Sequence, residues 1–322
     1  MTRSLLASLA LVGALLAPAT ANAATDNQGP PLSVPEATLD SALHCTGDLT
    51  AAQPVLLVPG TTLTDEEFGW NYGPALSAQH RPFCTVTPPG NGMGDIQVSA
   101  EYVVHAIRTM SDRAGGKIDV VGHSQGGMVP RWALKFWPDT RSKVDDLVGL
   151  APSNHGTVLA HPLCVPGCAP ALWQQRTGSA FLTTLNSDAE TWAGIDYTVV
   201  YSALDEVVVP NIGDKGSSSL HTGQGRIANI GLQEVCPLRP AEHLTAGTTD
   251  SLAYELAMDA LDHDGPADPA RLAPGACARL LMPGVDPVLL AVHEVDLVTT
   301  VAEQLLLYPH VTAEPPLADY AR

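Results

Sequence analysis

Positive charge is scarce in this chain: 16 Lys and Arg stand against 34 Asp and Glu, a formal net charge of −18 over 322 residues. Nucleic acid and anionic lipid headgroups would be repelled by such a surface, so neither is expected as a partner. Beyond the first two dozen residues no uninterrupted apolar run reaches the ~18 residues of a membrane-spanning helix. There is no Ser/Gly linker, charge block, internal repeat or low-complexity tract, so one large domain is predicted over residues 24–322. A zinc-like ligand set is also missing, because His161, Cys164 and Cys168 lack a fourth ligand at suitable spacing.

The amino terminus carries an address. Arg3 supplies a positive start, residues 5–17 are apolar, and Ala21-Asn22-Ala23 is a small-residue cleavage site. Residues 1–23 are therefore read as a signal peptide cut near Ala23, and the mature protein as secreted and extracellular. Six cysteines, an even number in an exported chain, predict disulfides whose pairing the sequence by itself leaves open.

Apolar, β-branched runs at residues 55–58, 83–87, 118–121, 146–150, 197–201 and 227–231 predict strands, several of them closed by Pro or Gly. Between the second and third, Ser99 is read as the cap of a helix with Val103, Ile107 and Met110 on one face and Gly115-Gly116 as its stop. Strands alternating with helices imply a mostly parallel sheet covered on both faces. Residues 24–35 read as a loose leader, and the end from Thr312 as an irregular tail.

The motif that carries chemistry is Gly122-His123-Ser124-Gln125-Gly126. It matches G-x-S-x-G, follows a predicted strand and opens a predicted helix, which is the context of a nucleophile elbow in an α/β-hydrolase fold. Glycines on either side let strand and helix approach, and the helix N-terminus faces a developing oxyanion. Pro130 falls just past the first turn and is expected to bend that helix or leave a carbonyl unpaired.

A serine nucleophile needs a histidine base and a carboxylate behind it, in the chain order Ser, acid, His. Asp205 follows the run at 197–201, where its side chain emerges at the carboxyl edge of the sheet. His243 follows the last predicted strand, in an irregular segment before a helix near Asp250. His155, His161, His221, His263, His293 and His310 also lie downstream and remain alternatives on spacing alone. His123 adjoins Ser124 on a sharp turn and is not read as the base.

These residues resemble the Candida antarctica lipase B family of α/β-hydrolases, over a span from Cys45 to about Leu305. The matching blocks are Leu56-Leu57-Val58-Pro59-Gly60-Thr61, residues 97–104, Ser124-Gln125-Gly126-Gly127, residues 141–145, Ala151-Pro152 with residues 156–160, Trp173-Gln174-Gln175 with residues 177–180, and Tyr201-Ser202-Ala203 with Asp205-Glu206-Val207. The resemblance implies an α/β-hydrolase fold with a small helical cap, and an ester hydrolase, either a triacylglycerol lipase or a carboxylesterase. It makes Ser124 the nucleophile, Asp205 the acid and His243 the base, and it places Thr61 and Gln125 in the oxyanion hole.

The resemblance further implies pocket residues His123, Leu63 and Gln175, a cap within residues 153–196, and an opposite wall from an apolar helix at 286–307 begun by Pro287. It implies bridges Cys45–Cys84 and Cys236–Cys277, and with those in place Cys164–Cys168, which is expected to stiffen the cap. The family has tryptophan where this chain has His123 and threonine where it has Leu63, so an alcohol-side pocket of different shape and greater polarity is expected.

No metal or organic cofactor is required by this chemistry. The expected partner is a lipid or other ester substrate at an oil–water interface, and nothing demands more than a monomer. Polyester depolymerase and acyltransferase activities share the same residues, and an inactive hydrolase fold that binds surfaces is the reading from another class.

Overall fold

Runs of apolar residues buried on both sides make parallel strands read as continuous hydrophobic segments, and the chain follows this rule. The structure, a computed structural model, describes residues 27–322, so the proposed signal peptide lies outside the described residues. Seven strands, β1 (Leu43–Thr46), β2 (Val55–Val58), β3 (Phe83–Val86), β4 (Ile118–His123), β5 (Val144–Leu150), β6 (Asp196–Tyr201) and β7 (Arg226–Gly231), form one sheet in the order β1-β3-β2-β4-β5-β6-β7. Only β1 is antiparallel to its neighbour, β3; the other pairings are parallel.

The helices that bear on the site are α1 (Ile96–Ala114), α2 (Gln125–Phe136), α3 (His243–Thr248), α4 (Ser251–Asp262) and α5 (Leu290–Leu307). Alternate strand residues face opposite ways. Leu56, Val58, Val120 and Leu147 pack with α1 and α2 in one core. Leu57, Val121, Val148 and Val200 pack with α4 in the other. This two-faced covering is the predicted α/β architecture.

Several expectations are corrected. The strand β1 has alternating rather than continuous burial, so the apolar-run criterion passes over it. The cap of α1 is Asp95, whose side chain accepts from Gln97 N at 2.9 Å, whereas Ser99 is buried inside the helix. Helix α2 runs unbroken through Pro130; the acceptor that Pro130 deserts, Gly126 O, instead faces the Cα of Gly122. Helix α5 starts at Leu290 rather than at Pro287, after a turn in which Asp286 O accepts from Leu289 and Leu290 N–H.

Leader and tail are irregular but not loose. Trp137 Nε1 donates to Pro30 O at 2.7 Å, Ser33 Oγ donates to Glu101 Oε1 at 2.8 Å, and Glu314 accepts from the amides of Ala180 and Phe181 at 3.0 and 2.8 Å. Tyr320 packs edge-on against Phe136 and Trp137. The three bridges are Cys45–Cys84, which joins paired positions of β1 and β3, Cys164–Cys168 and Cys236–Cys277. Both sulfurs beside His161 are thus consumed.

The elbow explains its own glycines. A Cβ on Gly122 would lie 2.0 Å from Gly126 O, and one on Gly126 would lie 2.0 Å from Val58 O. Both clashes are with main chain, which cannot swing aside. Overpacking of this kind costs about 1–3 kcal/mol and more where backbone must shift, so Gly126→Ala is expected to lower the unfolding free energy by at least ~3 kcal/mol. Urea denaturation followed by circular dichroism measures it, and an unchanged midpoint would contradict the packing described.

Candidate active site

Three parallel strands deliver the central residues to one edge. Ser124 follows β4 and heads α2 with φ 54° and ψ −121°, a backbone conformation that side-chain-bearing residues rarely adopt. Asp205 follows β6, and Thr61 follows β2. His243 is the first residue of α3 rather than part of an irregular segment, and its helix is held by a capping box between Glu242 and Thr245.

Asp205 and His243 are joined by a hydrogen bond of 2.9 Å from the Nδ1–H to Oδ2. The other carboxylate oxygen, Oδ1, accepts from the amides of Val207 and Val208 at 2.9 and 2.8 Å, and Asn211 Nδ2 donates to Oδ2 at 3.3 Å. Burial alone pushes the Asp205 carboxyl up, but the hydrogen bond and charge of His243 and the two amides outweigh it and hold the group below the ordinary carboxylate value. Asp205 therefore stays an anion whose acceptor sites are all directed.

Ser124, His243, Thr61, Leu63, His123 and Gln175 line one cavity of about 340 Å³. Asp205 stands behind His243, outside the lining. Gln125 also lies outside it, but its Nε2 donates to Thr61 Oγ1 at 3.1 Å and to Gly92 O at 3.0 Å. Gln175 Nε2 donates to the same hydroxyl at 2.9 Å, while its Oε1 accepts from Ser153 Oγ at 2.9 Å. Thr61 Oγ1 thus accepts two amide protons, and its own proton is left for an acceptor in the cavity. Among the described residues the backbone N–H groups of Thr61 and Gln125 have no protein acceptor either. Thr61 and Gln125 thus hold three donors that no protein acceptor uses among the described residues.

Most of the remaining lining is apolar, with Thr62, Ser153, Thr157, Glu206 and Glu242 as the polar members. Leu159, Leu163 and Leu172 come from the segment between β5 and β6, and Val298, Val301 and Leu305 from α5, so the expected cap and opposite wall both border the cavity. The two are stitched together beyond it, where Cys168 and Val311 exchange backbone hydrogen bonds of 3.1 and 2.8 Å.

His123 differs from expectation. It borders the cavity, but it is 1% exposed, and both ring nitrogens are occupied: Nδ1 pairs closely with Glu67 Oε1, and Nε2 lies 3.1 Å from His243 O. Its ring rests on Gly247 of α3, where a Cβ would approach to 2.2 Å. Two acceptors require two N–H donors, so this imidazole is best described as a cation facing a carboxylate. Burial pulls its pKa down, but the charge and hydrogen bond of Glu67, with help from His243 O and Asp205, raise it above the ordinary imidazole value. The extra polarity is turned away from substrate.

Glu67 is the residue that sequence reading missed. It is fully buried, and its Oε2 accepts from Gly60 N at 2.8 Å. One carboxylate thereby ties the loop bearing Thr61 to the ring beneath α3. Nothing in its local sequence, Thr64-Asp65-Glu66-Glu67, distinguishes it from a solvated helix start.

Elbow and sheet together define the α/β-hydrolase class. The profile of the family described as "Lipase (class 2)" matches residues 102–235. Lipase B of Pseudozyma antarctica is 35% identical over 300 residues, covering 91% of this chain and 86% of the relative. The crystal structure of Aspergillus fumigatus lipase B superposes with a TM-score of 0.84 at 33% identity, covering 92% of this chain and 73% of that one. A metagenome-derived lipolytic enzyme, at a TM-score of 0.50 and 14% identity over 68% of this chain and 98% of its own, shares the fold. The chain belongs to the lipase B family and is a carboxylic ester hydrolase.

Because His123 gains its charge inside the fold, its stabilising contribution has a definite sign. A folded pKa above the unfolded one, near ~6.5 for imidazole, gives stability that is complete below that value and lost as pH climbs through the raised one. Urea midpoints measured from pH 6 to pH 9 are expected to fall across that window in the parent and to flatten in Glu67→Gln. Glu67→Ala, which strands a buried cation, is expected to cost ~3–5 kcal/mol.

Proposed function

We propose that Ser124, Asp205 and His243 act as a catalytic triad in a secreted enzyme that hydrolyses carboxylic esters through an acyl-enzyme. Residues 24–322 then form one catalytic domain behind an export signal at 1–23, a reading that suits the three disulfides. His243 takes the Ser124 hydroxyl proton as Oγ attacks the ester carbonyl, and Asp205 orients and balances the imidazolium. The proton passes to the departing alcohol, water enters, and the same two steps release the acid. Thr61 and Gln125 donate to the tetrahedral oxygen.

The observation that carries this reading is the arrangement at Thr61. A hydroxyl accepting from both Gln125 and Gln175 has its own proton free to donate into the cavity that Ser124 lines, and preset donors of this kind stabilise an oxyanion without reorganisation. Asp205, with its acceptor sites filled from behind and the His243 ring in front, has the orientation that the base needs.

The cavity rim favours apolar acyl groups. Val165 on the cap is 77% exposed, and Leu306 on α5 78% exposed, while α5 has Leu297 as its one buried residue. An outward apolar helix beside an apolar cavity fits a substrate presented at an oil–water interface. No described helix is long and apolar enough to cross a membrane.

A fluorophosphonate probe should label the parent at one serine and leave Ser124→Ala unlabelled; equal labelling of both proteins would refute the assignment. Ser124→Ala should lose at least ~10⁴-fold in kcat on tributyrin. Thr61→Val keeps the amide but removes the hydroxyl, and should lower kcat by ~10²–10³ with KM nearly unchanged. Parallel turnover of tributyrin, trioleoylglycerol and a polyester film separates lipase, esterase and depolymerase activity, and added alcohol reveals acyl transfer.

A further inference from the structure

At the end of the sheet opposite Ser124, three carboxylates converge. Asp119 belongs to β4 and Asp145 and Asp146 to β5, and one oxygen from each lies within 4.8 Å of the other two. Asp119 is 0% and Asp146 5% exposed. Asp119 Oδ2 and Asp146 Oδ1 are buried with no hydrogen-bond partner among the described residues. On the satisfied side, Gln53 Nε2 donates to Asp119 Oδ1 at 2.5 Å and to Asp145 Oδ2 at 3.3 Å.

The arginines whose fields reach this cluster are engaged elsewhere, and the one lysine on it touches only its exposed member. Arg81 holds Asp262 at 2.7 Å, Arg226 holds Asp196 and Asp264, and Lys117 sits on Asp145 and Gly194 O at 2.8 Å each. Two buried carboxylate oxygens in the cluster are thus left without a side-chain donor. Burial, only partly offset by Gln53, Arg81 and the backbone N–H of Asp146, pushes the Asp119 carboxyl up to about 7; burial and the charges of Asp119, Asp196 and Asp145 push Asp146 up to about 9. An arrangement that is costly to charge by itself becomes favourable around a positive ion.

We propose that Asp119, Asp145 and Asp146 form a divalent-cation site of the calcium class that clamps β4 to β5. All three donors are hard oxygens, with no nitrogen or sulfur to favour a transition metal. Oxygens that all lie within 4.8 Å of one another can share one ion at a Ca–O distance of about 2.4 Å. Calcium accepts irregular, partly hydrated shells, whereas magnesium demands a tight octahedron. The Asp145 side chain is 43% exposed, which provides an entry path and room for water, and Lys117 can keep its contact with Gly194 O as the ion arrives. The site lies away from Ser124, so its effect is on stability rather than on chemistry.

The test uses chelator-stripped full-length protein at pH 8, titrated with CaCl2 by isothermal calorimetry and followed by thermal unfolding. One saturable site per chain is expected, with Tm rising by roughly 5 °C when free calcium is about a hundred times Kd. Asp119→Asn and Asp146→Asn should each weaken binding by ~100-fold or more while keeping the tributyrin activity of the calcium-free parent. The proposal is overturned if the parent shows neither saturable heat nor a calcium-dependent Tm. Binding that survives both substitutions overturns it equally, as does magnesium binding as tight as calcium. The parent titration decides the matter even if a variant does not fold.

Discussion

The approach of the Gly126 main chain to the Val58 carbonyl is the constraint on which the active edge depends. With room for no side chain at Gly122 or Gly126, helix α2 begins almost against β2 and β4, and the intervening residue is driven to positive φ. That residue is Ser124. Its hydroxyl is raised above the sheet because no other path connects strand to helix at this separation. The same contact sets the first N–H of α2 beside the loop after β2, so Ser124 and the two amides proposed to hold the oxyanion are placed by one piece of backbone packing.

Such a junction leaves a gap beneath the serine that must be filled, and here the filler is polar. His123 and Glu67 occupy it as a buried pair reaching Gly60 N on one side and His243 O on the other. A hydrophobic filler would avoid the desolvation of two charges, which is several kcal/mol per ion before their mutual attraction is counted. It would not bond both loops. What the pair contributes is geometric: the backbone bearing Thr61 and the backbone bearing His243 are referenced to one imidazole ring, so neither moves without breaking a hydrogen bond in a low-dielectric interior. Selectivity at this position then follows from ring shape and from Leu63, because the ring's polar atoms are not offered to substrate.

Much of this was legible in the residues because local signals and fold agree. Val55–Val58 is apolar throughout and Ile118–Val121 is apolar but for Asp119, and they end at Pro or at the elbow, so strand and turn announce themselves. Asp205 and His243 could be paired from the sequence because chain order and the preceding strands suggested them, and a hydrogen bond of 2.9 Å joins the two. Other features are set by partners distant in sequence. Strand β1 exists because β3 offers an edge and Cys84 a bond; its four residues have no pattern of their own. Asp95 and Ser99 are equally good caps in isolation, and Gln174, which bonds both Ile96 N and Asp95, favours the earlier one. Glu67 needs His123 and Gly60 around it before it differs from any surface glutamate. The tail from Thr312 carries no periodicity, yet Glu314 and Tyr320 pin it by single long-range contacts.

Strand β4 shows how one element can meet opposite demands at its two ends. At its carboxyl end His123 is neutralised within the protein by Glu67, and the hydrogen bonds of that pair are complete. At its amino end Asp119 and the neighbouring Asp146 keep unpaired oxygens, and the arginines that reach them are spent on Asp262, Asp196 and Asp264. A chain with a net charge of −18 has few cations to distribute, and the arginines nearest this cluster are committed to other carboxylates. The completed pair lies where motion would cost catalysis, and the incomplete one where a dissolved cation can finish it without touching the reaction. Charge scarcity in the composition and the placement of the acidic cluster are, on this argument, two expressions of one constraint.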